Sequence, residues 1–255
     1  MHEVDWALEG KICMVTGAGR GLGREVARRF ALAGSKVAII SRTVSELNGL
    51  AEEIRQMGCE VLAVPADVSR PAEVHDAVTN TLAQFGTVDV LVNNAAVNIR
   101  KPFLDLTYED WQRVIGINLT GYFLCAQEVG RVMVKNRSGK IVNVGSEIGM
   151  VGSASGQVAY ASSKGGIVQL TRCLAAEWAP YHVNVNCVAP TVMRTPLVEE
   201  KLKDQQYLDM LLRKIPLGRI AEAGEVADVI VFLCSRFSNF ITGHVLMVDG
   251  GYTIV

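Results

Sequence analysis

Short apolar runs alternate with longer amphipathic stretches along nearly the whole chain. The runs are rich in Val and Ile, and several are apolar almost throughout, which is typical of parallel strands covered on both faces. This pattern predicts seven strands, at 11–15, 36–40, 59–64, 88–92, 140–144, 183–188 and 244–248.

The stretches between these runs have the spacing of helices. After the first strand, Leu22, Val26, Ala27, Phe30 and Ala31 recur on one helical face. Further helices are predicted at 43–57, 71–85, 111–135, 158–179 and 222–235. Strands that alternate with helices imply right-handed crossovers. The predicted fold class is therefore α/β, with a doubly wound, Rossmann-type sheet of seven parallel strands and helices on both faces.

One segment breaks this alternation. Residues 194–220 contain Pro196, Pro216 and a charged middle that also bears leucines. The chain shows no internal repeat, linker or low-complexity tract. We therefore expect a single domain over residues 1–255, in which 194–220 forms a mobile helical flap over a substrate.

Composition and charge narrow the classes of partner. The 255 residues carry a net charge of −1 and are 49% apolar, so neither a nucleic acid nor an anionic membrane is an expected partner. No apolar run approaches the roughly 20 residues of a membrane span, and the N-terminus lacks a signal-peptide core. The six cysteines are scattered without a C-x-x-C pair, and the four histidines lack metal-binding spacing. We expect a cytoplasmic protein without a metal.

A glycine-rich turn, TGAGRGLG at residues 16–23, joins the first predicted strand to the first predicted helix. Gly17, Gly21 and Gly23 allow a tight turn and a close approach of the backbone to a ligand. The helix directs free N–H groups and the positive end of its dipole toward that ligand. A turn of this kind between a strand and a helix indicates a site for the pyrophosphate of a dinucleotide.

Tyr160 and Lys164 lie four positions apart in a predicted helix and therefore share one face. A free tyrosine has a pKa of about 10, and lowering that pKa to about 7 requires roughly 4 kcal/mol. An ammonium group about 4 Å away, at an effective dielectric of about 20, supplies about that amount. The pair can therefore act as a general acid/base on a substrate oxygen.

The spacing T-G-x-x-x-G-x-G resembles that of the short-chain dehydrogenase/reductase family, and the resemblance extends over essentially the whole chain. The further matching stretches are Asp67 with Val68, NNAA at 93–96, Asn118 in GINLTG, the set Ser146, Tyr160 and Lys164, PTVMRT at 190–195, and VDGG at 248–251.

The chain departs from the family pattern at three points. Ala96 and Thr191 each stand where the family has glycine, and Ser146 is one residue further from Tyr160 than is usual. Because of this extra residue, a serine of the intervening loop, at position 153 or 155, is an alternative for the role of Ser146.

The resemblance implies an NAD(P)-dependent enzyme that interconverts a secondary alcohol and a ketone. Tyr160 is then the general acid/base, while Lys164 lowers its pKa and holds the nicotinamide ribose. Ser146 hydrogen-bonds the substrate oxygen, and Asn118 anchors a water that links Lys164 to solvent. The residues implied in cofactor binding are Thr16, Gly17, Gly19, Arg20, Gly21, Leu22, Gly23, Ser41, Arg42, Asp67, Val68, Asn94, Ala95, Ala96, Tyr160, Lys164, Pro190, Val192 and Thr195.

The choice of nicotinamide cofactor depends on the end of the second strand. Sites selective for NAD place an acidic residue there to bind the ribose 2′-hydroxyl. Here Ser41 and Arg42 occupy the position, the first acid is Glu46, and Arg20 lies in the glycine turn. Since guanidinium groups favour phosphate, we expect NADP(H), with NAD(H) as the alternative.

The substrate stays open at this level. The tract NNAAVNIRKPF is similar to gluconate and polyol dehydrogenases of the family, and a 3-oxoacyl-carrier-protein reductase is the main alternative. A third hypothesis is a non-catalytic, cofactor-sensing protein. We expect Glu147 to be a solvated loop carboxylate and Arg100 and Lys101 to be surface residues. The resemblance also suggests a homotetramer or homodimer, with helices 111–135 and 158–179 at its interfaces.

Overall fold

A computed structural model of the chain describes residues 6–195 and 198–255. The main sheet has seven strands, all parallel, in the order β3-β2-β1-β4-β5-β6-β9. These strands are β1 Ile12–Thr16, β2 Lys36–Ser41, β3 Val61–Pro65, β4 Val90–Asn93, β5 Gly139–Val144, β6 Val183–Pro190 and β9 Val245–Val248. A separate two-stranded pair joins β7 Met193–Arg194 to β8 Ala221–Glu222. The predicted α/β class and the seven parallel strands are confirmed.

Helices connect the strands. They are α1 Gly21–Leu32, α2 Val44–Gln56, α3 Pro71–Phe85, α4 Tyr108–Ile115, α5 Gly121–Asn136, α6 Val158–Trp178, α7 Glu199–Leu202, α8 Gln205–Leu212 and α9 Ala223–Cys234. Short 3-10 turns lie at Phe103–Asp105, Glu147–Gly149, Ala179–Tyr181, Arg236–Ser238 and Tyr252–Ile254. No helix in the described part of the chain combines the length and the apolar character needed to cross a bilayer.

Alternate residues of each strand face opposite layers of helices. Cys13 and Val15 of β1 pack in a core with α1, α2 and α9, whereas Met14 between them packs in a second core with α3 and α5. Both faces of the sheet are thus packed with apolar side chains, which explains why most strands appear in the sequence as continuous apolar runs rather than as alternating patterns. The sheet is therefore covered on both faces.

The predicted helix 111–135 is interrupted. Gly116–Thr120 forms a π turn between α4 and α5, and α4 begins earlier than predicted because Thr107 caps it by accepting a 3.1 Å hydrogen bond from the Asp110 backbone N–H. Gly121 starts α5 beside Val68, where an added Cβ would lie 2.8 Å from the Val68 side chain. The helix thus passes very close to the segment that follows β3.

The segment 194–220 carries the short helices α7 and α8 and its own apolar cluster. Leu202, Leu211, Ile215 and Ile220 form this cluster, against which side chains such as Val192 pack. Pro196, which helped to single out the segment, lies outside the described residues.

Candidate active site

A cleft of about 710 Å³ lies at the carboxyl ends of the strands. It spans the point between β1 and β4 where the strand order reverses, which is where open α/β sheets bind ligands. The predicted site residues that line it are Gly17, Gly19, Arg20, Gly21, Leu22, Ser41, Arg42, Asp67, Val68, Asn94, Ala95, Ala96, Ser146, Tyr160, Lys164, Pro190, Val192 and Thr195. Thr16, Gly23 and Asn118 are buried behind this lining.

The glycine turn packs directly on the loop after β4. Gly17 has φ +64°, and a Cβ added there would lie 2.8 Å from the Ala95 Cα atom. A Cβ on Gly23 would lie 2.3 Å from the Gly17 carbonyl oxygen. The first turn of α1 has no acidic residue and no side-chain cap from Arg20, so its N–H groups are open to the cleft. This cradle fits the pyrophosphate of a dinucleotide.

Two polar side chains hold this cradle in place. Thr16 Oγ1 accepts hydrogen bonds from the backbone N–H of Asn94 at 3.0 Å and of Ala95 at 3.2 Å. The Asn94 amide donates in return to the carbonyl oxygens of Thr16 at 3.0 Å and Gly17 at 3.2 Å. Both side chains therefore fasten the β1 and β4 ends of the cleft to each other.

The far end of the cleft has a mixed charge. Arg20 and Arg42 are exposed there, and Arg42 Nη1 lies 3.5 Å from Asp67 Oδ2. Burial would raise the pKa of Asp67, but the hydrogen bonds from Ser69, helped by Arg42, leave that pKa lowered. Glu46 also lines this end, and a Cβ on Gly19 would lie 2.5 Å from Glu46 Oε2. Sequence reasoning gave Glu46 no part in the site.

Lys164 is 1% exposed at the other end of the cleft. Its Nζ atom donates a 2.7 Å hydrogen bond to the Val144 carbonyl oxygen and lies 5.5 Å from the centre of the Tyr160 ring. The centre of the Tyr122 ring lies 5.4 Å from the same Nζ atom. Burial lowers the pKa of Lys164 to about 8.

The pKa of Tyr160 is raised to about 12, which corrects the expected lowering. Burial is the main cause, and the charge of Glu147 adds to it. A hydrogen bond with Ser146 and the charge of Arg100 act in the opposite direction but are outweighed. The expectation failed because it counted the lysine alone, while burial and a nearby carboxylate favour the neutral phenol.

Glu147 lies inside the cleft wall, not in a solvated loop as expected. It is partly buried, and its Oε2 atom accepts a 2.5 Å hydrogen bond from Ser146 Oγ. Burial is the main cause of its raised pKa, and Asp249 contributes to the increase. The 3-10 turn Glu147–Gly149 turns the side chain inward, because Ser146 caps this turn by accepting from the Ile148 N–H at 3.4 Å. The sequence does contain a sign of this position, since Glu147 is an acidic residue directly after Ser146, the serine that matches the family pattern.

Asn118 lies in the π turn and is fully buried. Its amide accepts from the Val97 N–H at 2.8 Å and donates to the Val97 carbonyl oxygen at 2.9 Å and to Ser163 Oγ at 3.1 Å. The side chain therefore ties the loop after β4 to α6, next to Lys164.

Further polar groups line the substrate end of the cleft. The Asn98 amide donates to Gln157 Oε1 at 2.6 Å, and the Gln157 amide donates to Ser155 Oγ at 2.5 Å. Ser155 and Ser153 are exposed and hydrogen-bonded to each other at 2.6 Å. Sequence reasoning missed Asn98 and Gln157, which form one wall of the cleft.

Cationic and apolar side chains complete this end. Arg100 lines the cleft, whereas its neighbour Lys101 is paired with Asp110 at 2.5 Å. From the segment 194–220 come Tyr207, Met210 and Lys214. A cleft with one glycine cradle and one end that carries a serine, a tyrosine and a lysine has the layout of a dinucleotide-dependent oxidoreductase.

Comparisons with known proteins agree with this layout. The family model adh_short_C2, described as enoyl-(acyl carrier protein) reductase, matches residues 17–253. The 3-oxoacyl-[acyl-carrier-protein] reductase of Aquifex aeolicus is 39% identical over 248 residues, which cover 96% of this chain and 98% of the relative. The D-threitol dehydrogenase of Mycolicibacterium smegmatis is 37% identical over 252 residues, with 99% and 96% covered.

A solved structure extends the similarity to the fold. The gluconate 5-dehydrogenase from Burkholderia cenocepacia, in complex with NADP and tartrate, has a TM-score of 0.93 and 33% identity, and 98% of this chain and 99% of that chain are covered. The chain belongs to the short-chain dehydrogenase/reductase family, and it is an oxidoreductase.

Proposed function

We propose that the protein is an NADP(H)-dependent dehydrogenase/reductase that interconverts a secondary alcohol and a ketone on a sugar acid or polyol. The observation that carries the proposal is the continuous cleft, which joins the glycine cradle at one end to Ser146, Tyr160 and Lys164 at the other. Polar and charged side chains surround these three residues at the substrate end.

NADP(H) is supported by the two arginines at the far end of the cleft. Arg20 and Arg42 are both exposed at this end. A cofactor whose pyrophosphate lies at the start of α1 would place its adenosine 2′-phosphate near them. Guanidinium groups bind phosphate through paired hydrogen bonds. Asp67 and Glu46 bring negative charge to the same end, so NAD(H) is the alternative. The cofactor supplies the hydride in ketone reduction and accepts it in alcohol oxidation.

Tyr160 moves the proton in this proposal. Its raised pKa keeps the phenol neutral near pH 7, so Tyr160 can donate a proton to the oxygen of a ketone as that oxygen gains negative charge. The positive Lys164 ammonium, 5.5 Å from the phenol ring, stabilises the phenolate that remains. Ser146 orients the same substrate oxygen.

A hydroxylated or anionic substrate is supported by the lining of the cleft. Glu147, Asn98 and Gln157 offer hydrogen-bond acceptors and donors for hydroxyl groups, while Arg100 and Lys214 offer positive charge for a carboxylate. Two relatives, a D-threitol dehydrogenase and a gluconate 5-dehydrogenase, are named for substrates of these kinds.

The alternative activity is that of a 3-oxoacyl-[acyl-carrier-protein] reductase, which a 39% identical relative favours. An acidic carrier protein needs a free basic surface. Of the basic residues at the end of α5, Arg131 lies 4.0 Å from Glu128, and Arg137 donates to the Pro180 carbonyl oxygen and lies 5.8 Å from the centre of the Tyr181 ring. Lys135 is exposed, so one of these three cations is left for a carrier protein. A non-catalytic cofactor sensor is the third possibility, and the retained Tyr160 and Lys164 argue against it.

A homotetramer or homodimer is part of the proposal. Large apolar side chains on and before the helices around the π turn are exposed in the single chain, among them Phe103, Leu104, Tyr108 and Phe123. A second copy that covers them would remove this apolar surface from water. Light scattering after gel filtration measures the assembly.

We further propose a cytoplasmic location and one domain over 1–255, with 194–220 as a substrate flap.

The test is a screen of NADPH and NADH oxidation against keto sugars, keto acids, simple ketones and acetoacetyl thioesters. We expect NADPH to be preferred and polyhydroxylated or acidic ketones to be the best substrates. Preference for acetoacetyl thioesters would favour the alternative activity. Tight NADPH binding without turnover of any compound would favour the cofactor sensor.

A further inference from the structure

The hydroxyl of Ser146 is already engaged within the protein. A serine has one hydroxyl hydrogen to donate, and Ser146 donates it to Glu147 Oε2 at 2.5 Å. Its oxygen also accepts from the Ile148 N–H at 3.4 Å. In this arrangement Ser146 has no hydrogen left for a substrate carbonyl, so another donor must replace it at Glu147 before Ser146 can serve the substrate.

Among the residues that the structure describes, Ser146 is the side-chain hydrogen-bond donor to Glu147. The Lys164 ammonium donates to the Val144 carbonyl oxygen, and the Tyr160 hydroxyl is hydrogen-bonded with Ser146 and is the proton donor of the proposed reaction. Asp249, whose charge acts on Glu147, is a carboxylate that accepts from the Gly251 N–H and from Thr253, so it offers no hydrogen. The side of Glu147 that remains open is the cleft itself, which makes the substrate the source of the new donor.

We propose that Glu147 recognises a hydroxyl group on the carbon next to the reacting carbonyl. That hydroxyl donates to Glu147 in place of Ser146, and the released Ser146 hydroxyl donates to the carbonyl oxygen. Because Ser146 Oγ and Glu147 Oε2 lie only 2.5 Å apart, two oxygens on adjacent carbons of one substrate can reach both groups. The inference rests on the proposed ketone reductase function and adds to it the α-hydroxyketone and vicinal diol as substrate class.

The exchange also rejects simple ketones. A ketone without the hydroxyl can accept from Ser146 only if Glu147 is left as a partly buried carboxylate without its side-chain donor, which is costly. Sites built to bind a substrate hydroxyl discriminate strongly against the analogue that lacks it. We expect at least a roughly tenfold preference on these grounds.

The test compares hydroxyacetone with butanone, which differ by a hydroxyl in place of a methyl group. Initial rates with NADPH give kcat/KM for the wild type and for Glu147→Gln, Glu147→Ala and the matched control Glu109→Gln, an exposed glutamate on α4. The wild type and the control should prefer hydroxyacetone. Glu147→Ala should lose the preference mainly through KM for hydroxyacetone, and Glu147→Gln, whose amide oxygen still accepts, should keep part of it.

A second measurement leaves Glu147 in place and so does not depend on the folding of a Glu147 variant. Binding of 1,2-propanediol and 2-butanol to Tyr160→Phe loaded with NADPH, followed by cofactor fluorescence, reports recognition without turnover. Equal kcat/KM for the two ketones in the wild type, or a full preference kept by a folded Glu147→Ala, would overturn the inference while leaving the ketone reductase function intact. Absence of turnover with every ketone and alcohol would overturn both.

Discussion

The Lys164 ammonium donates a 2.7 Å hydrogen bond to the carbonyl oxygen of Val144, the last residue of β5. This bond fixes the charge at the end of the strand that leads to Ser146, with the Tyr160 ring centre at 5.5 Å. The lysine is thus held by the backbone within a short distance of the phenol. Burial at this position disfavours its charge and so costs stability, which the proposed role of Lys164 in catalysis would explain.

Lys164→Met should stabilise the folded chain near neutral pH. The folded pKa of Lys164 is lowered from 10.5 to about 8, so the folded chain binds this proton less tightly than the unfolded chain. Stability is then lost as pH falls through about 8 and is fully present above about 10.5. We expect Lys164→Met to melt higher than wild type at pH 7, by about 2–4 °C for each kcal/mol gained, while turnover is lost.

The measurement is a pair of thermal melts at pH 7 and near pH 10. Lys11→Met, at an exposed lysine that pairs with Asp89 at 3.2 Å, is the control and should show no such gain. A Lys164→Met protein that melts at or below the wild-type temperature at pH 7 would contradict the explanation.

The two directions of the reaction should respond differently to pH. With its pKa raised to about 12 in the free chain, Tyr160 is a protonated acid, so kcat/KM for ketone reduction should not depend on its ionisation between about pH 6 and 9. Alcohol oxidation needs the phenolate and should become faster as pH rises. Glu147→Gln should lower the pKa of Tyr160, because the carboxylate charge raises it.

Ultraviolet difference titration of wild type against Tyr160→Phe measures this ionisation directly. A tyrosinate signal assigned to Tyr160 below about pH 9 in the free enzyme would contradict it. Tyr160→Phe should also reduce kcat by about 10²–10⁴ with little change in NADPH binding.

Charge at the far end of the cleft should control the affinity for NADPH. Arg42→Ala removes a guanidinium from this end, so we expect about a tenfold weaker Kd for NADPH and little change for NADH. Glu46→Gln should tighten NADPH binding, because it removes a carboxylate beside Gly19. Fluorescence titration of both cofactors measures these constants without turnover.

Arg55→Ala is the control, since Arg55 is an exposed arginine further along α2 whose nearest carboxylate partner is Glu52 at 3.9 Å. If Arg42→Ala weakened NADH and NADPH equally, the arginine would act on a part shared by both cofactors, and the assignment of NADP(H) would lose its support.

Two glycine-to-alanine substitutions compare the glycine turn of the cleft with an ordinary exposed helix position. Gly23→Ala places a methyl group 2.3 Å from the Gly17 carbonyl oxygen, so it should distort the turn and abolish cofactor binding. Gly49→Ala, in α2, meets nothing within 4 Å and should stabilise the protein by about 0.5–1 kcal/mol. Thermal melts and cofactor titrations of both variants test the contrast. Normal cofactor binding by Gly23→Ala would show that the turn tolerates a side chain.

The strands could be predicted from local sequence, because each apolar run lies in a sheet that is covered on both faces. The observed end of an element differs from the predicted one where a hydrogen bond outside the apolar pattern fixes that end. The third strand begins at Val61 instead of residue 59, because the Cys59 N–H bonds back to the Ile54 carbonyl oxygen and closes the end of α2. The π turn could not be predicted, since the partners of Asn118 are Val97 and Ser163, far away in the chain.

The site could be predicted where the spacing of residues along one element places them together. Lys164 follows Tyr160 by one helical turn, and both line one end of the cleft as their spacing suggests. The inward turn of Glu147 depends on the cap that Ser146 forms, and the wall of Asn98 and Gln157 joins two loops that are separate in sequence. Such contacts follow from tertiary packing, which no local pattern reports. The site roles themselves stay predictions.

The hydrogen bonds of Asn118 to Val97 and Ser163 limit how this scaffold can diversify. We expect an insertion beside Val97, in the loop after β4, to disturb Ser163 and with it the neighbouring Lys164, one of the proposed catalytic residues. The segment 194–220 has an apolar cluster of its own and reaches the cleft with Tyr207 and Met210. We therefore expect new substrate specificities to arise through that segment, while the proposed proton-transfer residues Tyr160 and Lys164 stay unchanged.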